Sequence, residues 1–174
     1  MTKDVIAAIL ERRSTRRFKP EPIPEGTIGR LIDAARWAPS AGNIQPWKFY
    51  VVRNQGKKEE LAAAALGQKF VAEAPVVIVV CAQPDQAQAR YGERGVRLYC
   101  LQDTAAAVQN ILLAATGYGL GACWVGAFNE DAARVALELP PELLPVAMVP
   151  VGYAAKTPGP PARKSLDEVV AVID

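Results

Sequence analysis

The sequence has 174 residues, of which 51% are hydrophobic and 22% are charged, with a formal net charge of +2. A chain of this size can bury the core of one globular domain without help from metals or disulfides. The small net charge argues against a dedicated nucleic-acid or membrane-surface binder, which needs clustered positive charge, so a small-molecule partner is expected. The absence of histidine excludes His-ligated metal sites and catalytic triads with an imidazole base.

The three cysteines, Cys81, Cys100 and Cys123, are odd in number and widely spaced. This excludes a disulfide framework and a Cys-x-x-Cys motif. The N-terminus has no apolar signal region, and no stretch reaches the roughly 20 apolar residues of a membrane span. A cytoplasmic protein is therefore expected. Without histidine, a bound cofactor with its own reactivity is the simplest source of chemistry.

Hydrophobic periodicity predicts helices and strands in mixed order along the first half of the chain. A first helix at Asp4 to Arg13 has an apolar face, and so does a second helix after Pro24, with Ile28, Leu31, Ile32 and Ala35 on one side. Both are expected to pack on a core. Strands are predicted at Phe49 to Val52 and Val76 to Ala82. The second strand is apolar throughout, as in a strand buried on both faces.

The second half continues this mixed pattern. A helix from about Leu98 to Thr116 is apolar around most of its circumference, which suits a core or a subunit interface. Strands are predicted at Ala122 to Val125 and Val146 to Val151, with a helix near Asp131 to Leu137 between them. A proline-rich tail precedes the apolar run Val169 to Ile173, which predicts an extended arm with a strand-like end that reaches over another subunit.

Cationic and hydroxyl side chains are concentrated in Glu11-Arg-Arg-Ser-Thr-Arg-Arg-Phe18, just past the first helix. If this segment is extended, Arg12, Ser14 and Arg16 point the same way. Guanidinium groups and a hydroxyl suit phosphate, so the three side chains would form a compact phosphate site. A solvated run of charges or a nucleic-acid patch explains the segment equally well on its own.

Two further motifs lie in loops. The first, Pro39-Ser-Ala-Gly-Asn-Ile-Gln-Pro-Trp47, alternates polar groups with rigid residues beside an aromatic side chain, which suits the binding of a planar heteroaromatic ring. The alternative is a loop that Trp47 pins to the core.

The second, Gly117-Tyr-Gly-Leu-Gly-Ala122, has the letters of a dinucleotide-binding fingerprint. It ends a helix and leads into a strand, the reverse of the required order, so helix capping explains it better.

Together these segments resemble the FMN-dependent nitroreductase family over nearly the whole chain. Arg12-Arg-Ser-Thr-Arg16 followed by Phe18 is similar to the family's phosphate-binding stretch, and Ala38 to Trp47 is similar to its flavin-contacting loop. The order and spacing of these two segments are the main basis of the resemblance. Further family segments are matched by Gln102 to Ala115, Gly119 to Gly126 and Arg163 to Val170.

The resemblance implies an α+β fold with a central, mainly antiparallel sheet flanked by helices, as one domain over residues 1–174. It also implies an intertwined homodimer through the long helix, with two FMN sites at the interface and a C-terminal arm, about residues 155–174, over the partner subunit. NADH or NADPH would give hydride to flavin N5, which would pass it to a small acceptor such as a nitroaromatic or a quinone. No side chain would act as a catalytic acid or base.

The resemblance further assigns one half of the cofactor site to the basic stretch and the tail. Arg12, Ser14 and Arg16 would hold the phosphate and the pyrimidine edge of the flavin, with Arg13 beside them. Arg163 would close on the phosphate from the tail.

The other half of the site is assigned to a turn and a loop. Val125, where several relatives carry an acidic residue, and Gly126 match the turn whose backbone amide faces flavin N5. Gln68 would replace a family residue whose side-chain amide forms a hydrogen bond with the pyrimidine edge of the flavin. The loop would supply Pro39, Ser40, Ala41 and Asn43. Of these, Ser40 and Asn43 would come from the partner subunit.

Besides Val125, the sequence departs from the family in two places. Gln83 to Arg97 is short and polar where relatives have an insertion that forms part of the substrate pocket, and Pro161 replaces a lysine of the tail, for which Lys164 would compensate. Reductive dehalogenation or flavin breakdown on the same fold therefore stays open, as does a non-catalytic flavin-binding or storage protein. A nucleic-acid module, supported only by Arg12 to Lys19, is the weakest alternative.

Overall fold

The structure is a computed structural model that describes residues 3–173. In this part of the chain one sheet has four strands in the order β1, β2, β4, β3, and every neighbouring pair is antiparallel. The strands are β1 (Trp47–Val52), β2 (Val76–Ala82), β3 (Gly121–Ala122) and β4 (Leu144–Gly152). The expected α+β fold around an antiparallel sheet is confirmed.

Helices cover both faces of this sheet. The α-helices of residues 3–173 are α1 (Val5–Glu11), α2 (Glu25–Arg36), α3 (Gln55–Ala64), α4 (Phe70–Glu73), α5 (Pro84–Arg94), α6 (Cys100–Gly117), α7 (Glu130–Ala136) and α8 (Leu166–Val169). On one face α2 and α6 pack on Val76, Ile78 and Val80; on the other, α3, α4 and α7 pack on Val77 and Val79. Strand β2 is thus buried on both sides, as its continuous apolar sequence predicts.

The long helix α6 follows a π-helical turn, Gly95–Tyr99, and ends in a glycine cap. Gly119 adopts a left-handed φ of 73°, and the N–H of Leu120 donates to the carbonyl of Ala115 at 2.8 Å, which closes the helix. The glycine motif therefore caps a helix, as its order in the sequence predicts.

Helix α1 does not pack as the sequence predicts. Asp4 caps it by accepting the N–H groups of Ile6 and Ala7, and Ala8 is its buried residue. The apolar face stays exposed by between 49% and 68% at four positions: Val5, Ile6, Ile9 and Leu10. The expectation that this helix packs on the core is wrong, because periodicity shows which face is apolar but not what lies against it.

Two strand predictions also need correction. In place of the strand expected at Ala122 to Val125, β3 covers only Gly121–Ala122. The N–H of Cys123 still donates to the carbonyl of Pro150 at 3.3 Å, and Val125 makes an isolated bridge with Met148. In the tail, α8 takes up part of the run Val169 to Ile173, and the rest has no strand partner among residues 3–173. A strand needs a neighbouring backbone, so pairing of the tail with a second chain stays a prediction.

Candidate active site

The basic stretch runs extended along the edge of β3. Ser14 forms a parallel bridge with Ala122, and the N–H of Thr15 donates to the carbonyl of Ala122 at 2.9 Å. The Thr15 side chain is 2% exposed and points inward. Because side chains alternate along an extended chain, Arg12, Ser14 and Arg16 face the opposite way, as predicted.

These three side chains, with Arg13, line a cavity of about 220 Å³. The opposite wall comes from the start of the tail, at Pro158, Gly159 and Pro161. Among residues 3–173, no aspartate or glutamate lines it. The cavity therefore concentrates positive charge without a compensating carboxylate, which favours an anionic ligand.

The arginines of this cavity differ in their hydrogen bonds. Arg12 and Arg16 form no side-chain hydrogen bond or ion pair with residues 3–173. Arg13 instead donates to the carbonyls of Leu10 and Arg12 at 2.8 and 2.9 Å, which closes the end of α1. Arg12 and Arg16 thus keep their donors for a ligand, while Arg13 also has a structural role.

Cys123 lies buried behind this wall, and the sequence analysis does not single it out for the site. Burial raises the pKa of its thiol, and the nearby Arg16, Ser14 and Arg12 only partly oppose that effect. The side chain is therefore a neutral thiol at neutral pH, so it adds no negative charge to the cavity.

Arg16 connects the cavity to a turn at Val125 and Gly126. Its guanidinium lies 5.9 Å from the ring centroid of Phe70. Two positions before Phe70, Gln68 donates its amide Nε2 to the carbonyls of Ala65 and Ala127, at 3.0 and 3.2 Å. Gln68 therefore lies beside the turn with its amide donor occupied, and its Oε1 is the atom left to contact a ligand.

Val125 is held too firmly to offer its amide to a ligand. Its N–H donates to the carbonyl of Met148 at 2.9 Å, and its own carbonyl accepts from Met148 at 3.0 Å. Gly126 is exposed, and its N–H has no partner among the described residues. If one amide of this turn faces a ligand, it is that of Gly126, and the role of the turn stays a prediction.

The loop of residues 39–46 is anchored from several sides. Ser40 accepts the N–H of Gln45 at its Oγ, at 2.9 Å, and Trp47 packs in the core as the alternative explanation of this loop expects. A short 3₁₀ turn, Ala41–Asn43, follows Ser40. Asn43 is exposed and has a left-handed φ of 55°, which asparagine tolerates better than most residues. The loop is thus both pinned to the core and polar on its outer side, where Pro39 is also exposed.

Two residues that hold this loop are not predicted from the sequence. Asp103 of α6 accepts the N–H of Ala41 at 3.0 Å, and Arg90 of α5 donates to the carbonyl of Gly42 at 3.0 Å. The polar segment Gln83 to Arg97, short as it is, therefore contacts the loop. No sequence signal links positions so far apart, although an aspartate within an otherwise apolar helix is a reason to look.

The loop and the basic stretch lie at opposite ends of α6 within one chain. Asp103, in the first turn, holds the loop. Thr116, in the last turn, shares a cavity with Arg13 and Thr15. A helix rises 1.5 Å per residue, so Asp103 and Thr116 are roughly 20 Å apart along the axis. The structure does not bring Ser40 and Asn43 to the arginines of the same chain.

The tail contributes to the cavity, but Arg163 does not line it. Arg163 is exposed, and its one hydrogen bond within the described residues goes to the adjacent Ala162 carbonyl at 3.5 Å. Lys164 is likewise exposed. Closure of Arg163 on a phosphate stays a prediction.

Within residues 3–173, none of the helices combines the length and apolarity that crossing a membrane would require. The expected cytoplasmic location stays a prediction.

Comparison with known proteins places this geometry in a family. A profile of the Nitroreductase family matches residues 9–68 and 55–153. A protein of Thermus thermophilus named NADH dehydrogenase is 34% identical over 194 residues, which cover 96% of this chain and 95% of the relative.

Solved structures agree with the sequence match. A nitroreductase family protein from Streptococcus pneumoniae has a TM-score of 0.90 and 27% identity, with 98% of this chain and 100% of that chain covered. The NADPH:FMN oxidoreductase from Vibrio harveyi, complexed with NAD⁺, has a TM-score of 0.89 and 25% identity, with 99% and 78% covered. Sequence, fold and motifs agree, and the chain belongs to the nitroreductase family.

Proposed function

We propose that this chain binds FMN and transfers reducing equivalents from NADH or NADPH to a small acceptor such as a nitroaromatic or a quinone. The observation that carries the proposal is the cavity that Arg12, Ser14 and Arg16 line together, in which residues 3–173 place no carboxylate. A terminal phosphate fits this set, since guanidinium forks and a hydroxyl are its preferred donors. The names of the relatives, NADH dehydrogenase and NADPH:FMN oxidoreductase, support the donor and the flavin.

When bound, FMN would supply the redox chemistry, which is hydride transfer from the nicotinamide donor to the acceptor. The chain's own residues bind, orient and stabilise. Arg12 and Ser14 would hold the phosphate, and Arg16, at the side of the cavity near Phe70, would stabilise negative charge on the pyrimidine edge. The free N–H of Gly126 would face N5, and Gln68 would contact the pyrimidine edge through Oε1.

A homodimer with two FMN sites is part of the proposal. The polar loop lies roughly 20 Å along α6 from the basic stretch of its own chain, so a second copy would have to supply it to the same ligand. Pro39, Ser40, Ala41 and Asn43 of that copy would then complete the site. The exposed apolar face of α1 supports an interface, because exposed apolar patches of this kind mark contact surfaces.

The arm of residues 155–174 would extend over the partner subunit. Its apolar residues are among the most exposed of the described chain, at Leu166, Val169, Val170, Val172 and Ile173. In this arrangement Arg163 would reach a phosphate after the arm settles on the dimer.

The decisive experiment is an absorbance spectrum of the purified protein, before and after anaerobic addition of NADH and, separately, NADPH. We expect flavin bands that bleach with at least one donor and return when a quinone or nitroaromatic is added. Bound flavin that neither donor reduces would favour a storage protein. A colourless protein that takes up no added FMN would overturn the proposal.

A further inference from the structure

A second cavity adjoins the proposed phosphate site. It measures about 180 Å³ and is lined by Ser14, Arg16, Arg17, Lys156 and Pro158. Three of these residues, Ser14, Arg16 and Pro158, also line the first cavity. The two spaces are therefore neighbours that share a wall, and Arg17 and Lys156 are the additions of the second.

The new cavity carries positive charge that the described chain does not neutralise. Neither Arg17 nor Lys156 forms a side-chain hydrogen bond or an ion pair with residues 3–173, and no carboxylate lines the cavity. Lys19 provides a contrast in the same segment, because its Nζ lies 3.6 Å from a carboxylate oxygen of Glu21. Unpaired cations gathered at one concave surface favour an anion.

Backbone hydrogen bonds hold Lys156 at this place. The N–H of Lys19 donates to the carbonyl of Tyr153 at 2.8 Å, and the N–H of Ala155 donates to the carbonyl of Arg17 at 2.9 Å. The start of the tail thus runs beside the basic stretch as a short ladder, which brings Lys156 next to Arg17. Pro158, with its fixed φ, stiffens the wall that follows.

We propose that Arg17 and Lys156 form a second phosphate subsite beside the first, so that the combined site takes two neighbouring phosphate groups. The inference rests on the proposed function in one respect, because it takes the FMN phosphate as the occupant of the first subsite. The second group would belong to a dinucleotide. It is either the second phosphate of a flavin adenine dinucleotide bound whole, or a phosphate of the NADH or NADPH donor.

The first test needs no flavin. Full-length protein, dialysed free of bound small molecules, is titrated calorimetrically with inorganic pyrophosphate and with orthophosphate. We expect pyrophosphate to bind about tenfold tighter or better, the equivalent of one additional charged hydrogen bond. The double variant Arg17→Gln with Lys156→Gln should lose this preference.

Lys19→Gln is the matched control for this titration, because it removes one positive charge from the same segment but from a residue that lines neither cavity. It should keep the preference for pyrophosphate. Equal binding of both anions by the wild type, or an equal loss in Lys19→Gln and the double variant, would overturn the subsite. Both mutated side chains are exposed, so the double variant should keep the wild-type circular dichroism spectrum.

The second test identifies the source of the second phosphate. Dissociation constants for FMN and FAD are measured by flavin fluorescence, and KM and kcat for NADH and NADPH by steady-state kinetics. An FAD affinity that falls about tenfold in the double variant, with FMN changed by less than about twofold, indicates the flavin dinucleotide. A raised KM for one donor with kcat unchanged indicates the donor.

Equal losses of FMN and FAD affinity would overturn the inference, since Arg17 and Lys156 would then belong to the first subsite. No change in any flavin affinity or donor KM would also overturn it. A wild type that binds pyrophosphate preferentially but takes up no flavin would refute the proposed function while supporting the second subsite, so the two failures are distinguishable.

Discussion

The carboxylate of Asp103 accepts the backbone N–H of Ala41 at 3.0 Å, which ties the first turn of α6 to the loop that carries Ser40 and Asn43. Asp103 is buried, and the two residues are 62 positions apart in the chain. This hydrogen bond fixes the position of the loop relative to α6. In the proposed dimer, the helix would set the position of the loop that it offers to the second subunit.

Asp103→Ala should destabilise the protein and weaken FMN binding. The substitution leaves the Ala41 N–H unpaired in a partly buried place, which costs about 1–3 kcal/mol. We expect a lower free energy of unfolding in urea and a higher FMN dissociation constant. Asp103→Asn keeps an acceptor oxygen and should lose less of both; equal losses in the two variants would show that the hydrogen bond does not position the loop.

The same carboxylate should make stability depend on pH. Burial raises its pKa, against the opposing hydrogen bond from Ala41, so the folded state holds the proton more tightly than the unfolded state. The part of the stability that depends on this proton is therefore fully present below the ordinary pKa of 3.8 and is lost as pH rises through the raised value, whereas the hydrogen bond from Ala41 remains when Asp103 is ionised. Urea unfolding at a series of pH values should show this decline in the wild type and not in Asp103→Asn.

Arg16→Ala should weaken FMN retention and slow reduction of the flavin. Arg16 lines both cavities and has no carboxylate partner within residues 3–173. Loss of one charged hydrogen bond should raise the FMN dissociation constant about tenfold, and the difference should shrink as salt is added.

Arg53→Ala is the control for Arg16, because Arg53 is an exposed arginine paired with Glu25 at 2.6 Å, in neither cavity. Its FMN affinity and rate of flavin reduction should equal those of the wild type. If Arg16→Ala keeps the wild-type FMN affinity and rate of flavin reduction, Arg16 does not belong to the FMN site.

Gly121→Ala should displace the basic stretch. A Cβ at this position would lie 2.5 Å from Oγ1 and 2.7 Å from Cβ of Thr15, so one of the two segments must shift. Overpacking of this kind costs about 1–3 kcal/mol. We expect a lower melting temperature and weaker FMN binding.

A second substitution checks this explanation of Gly121. Thr15→Ala removes the Oγ1 and Cγ2 atoms from the clash and should partly restore the melting temperature of Gly121→Ala. Gly117→Ala, where a Cβ meets no atom of residues 3–173 within 4 Å, should leave both FMN binding and stability close to wild type. If the effects of Thr15→Ala and Gly121→Ala on the melting temperature are additive in the double variant, the contact between the two residues is not the cause of the destabilisation.

Ile9→Glu should dissociate the proposed dimer without unfolding the subunit. Ile9 is 49% exposed on the apolar face of α1, so a charge there is tolerated in the isolated chain but not in a dry interface. Sedimentation analysis should show a smaller species than the wild type. Val135→Glu, which changes an exposed apolar side chain of α7, is the matched control and should keep the mass of the wild type. If Ile9→Glu is still a dimer, the apolar face of α1 does not form the interface.

The sequence predicts much of the fold because the relevant signals are local. Strand β2 matches the prediction at both ends, and α6 lies within two residues of it. The alternation of Arg12, Ser14 and Arg16 follows from the two-residue period of an extended chain, so one half of the candidate site could be described before the fold was known.

Other features were decided only by the tertiary structure. The capture of Ala41 by Asp103, the amide of Val125 taken up by Met148, and the meeting of Lys156 with Arg17 each join residues far apart in the chain. Periodicity along a chain records which side chains are apolar and which way they point. It does not record which distant backbone will lie opposite, because that depends on how the whole sheet and its helices pack.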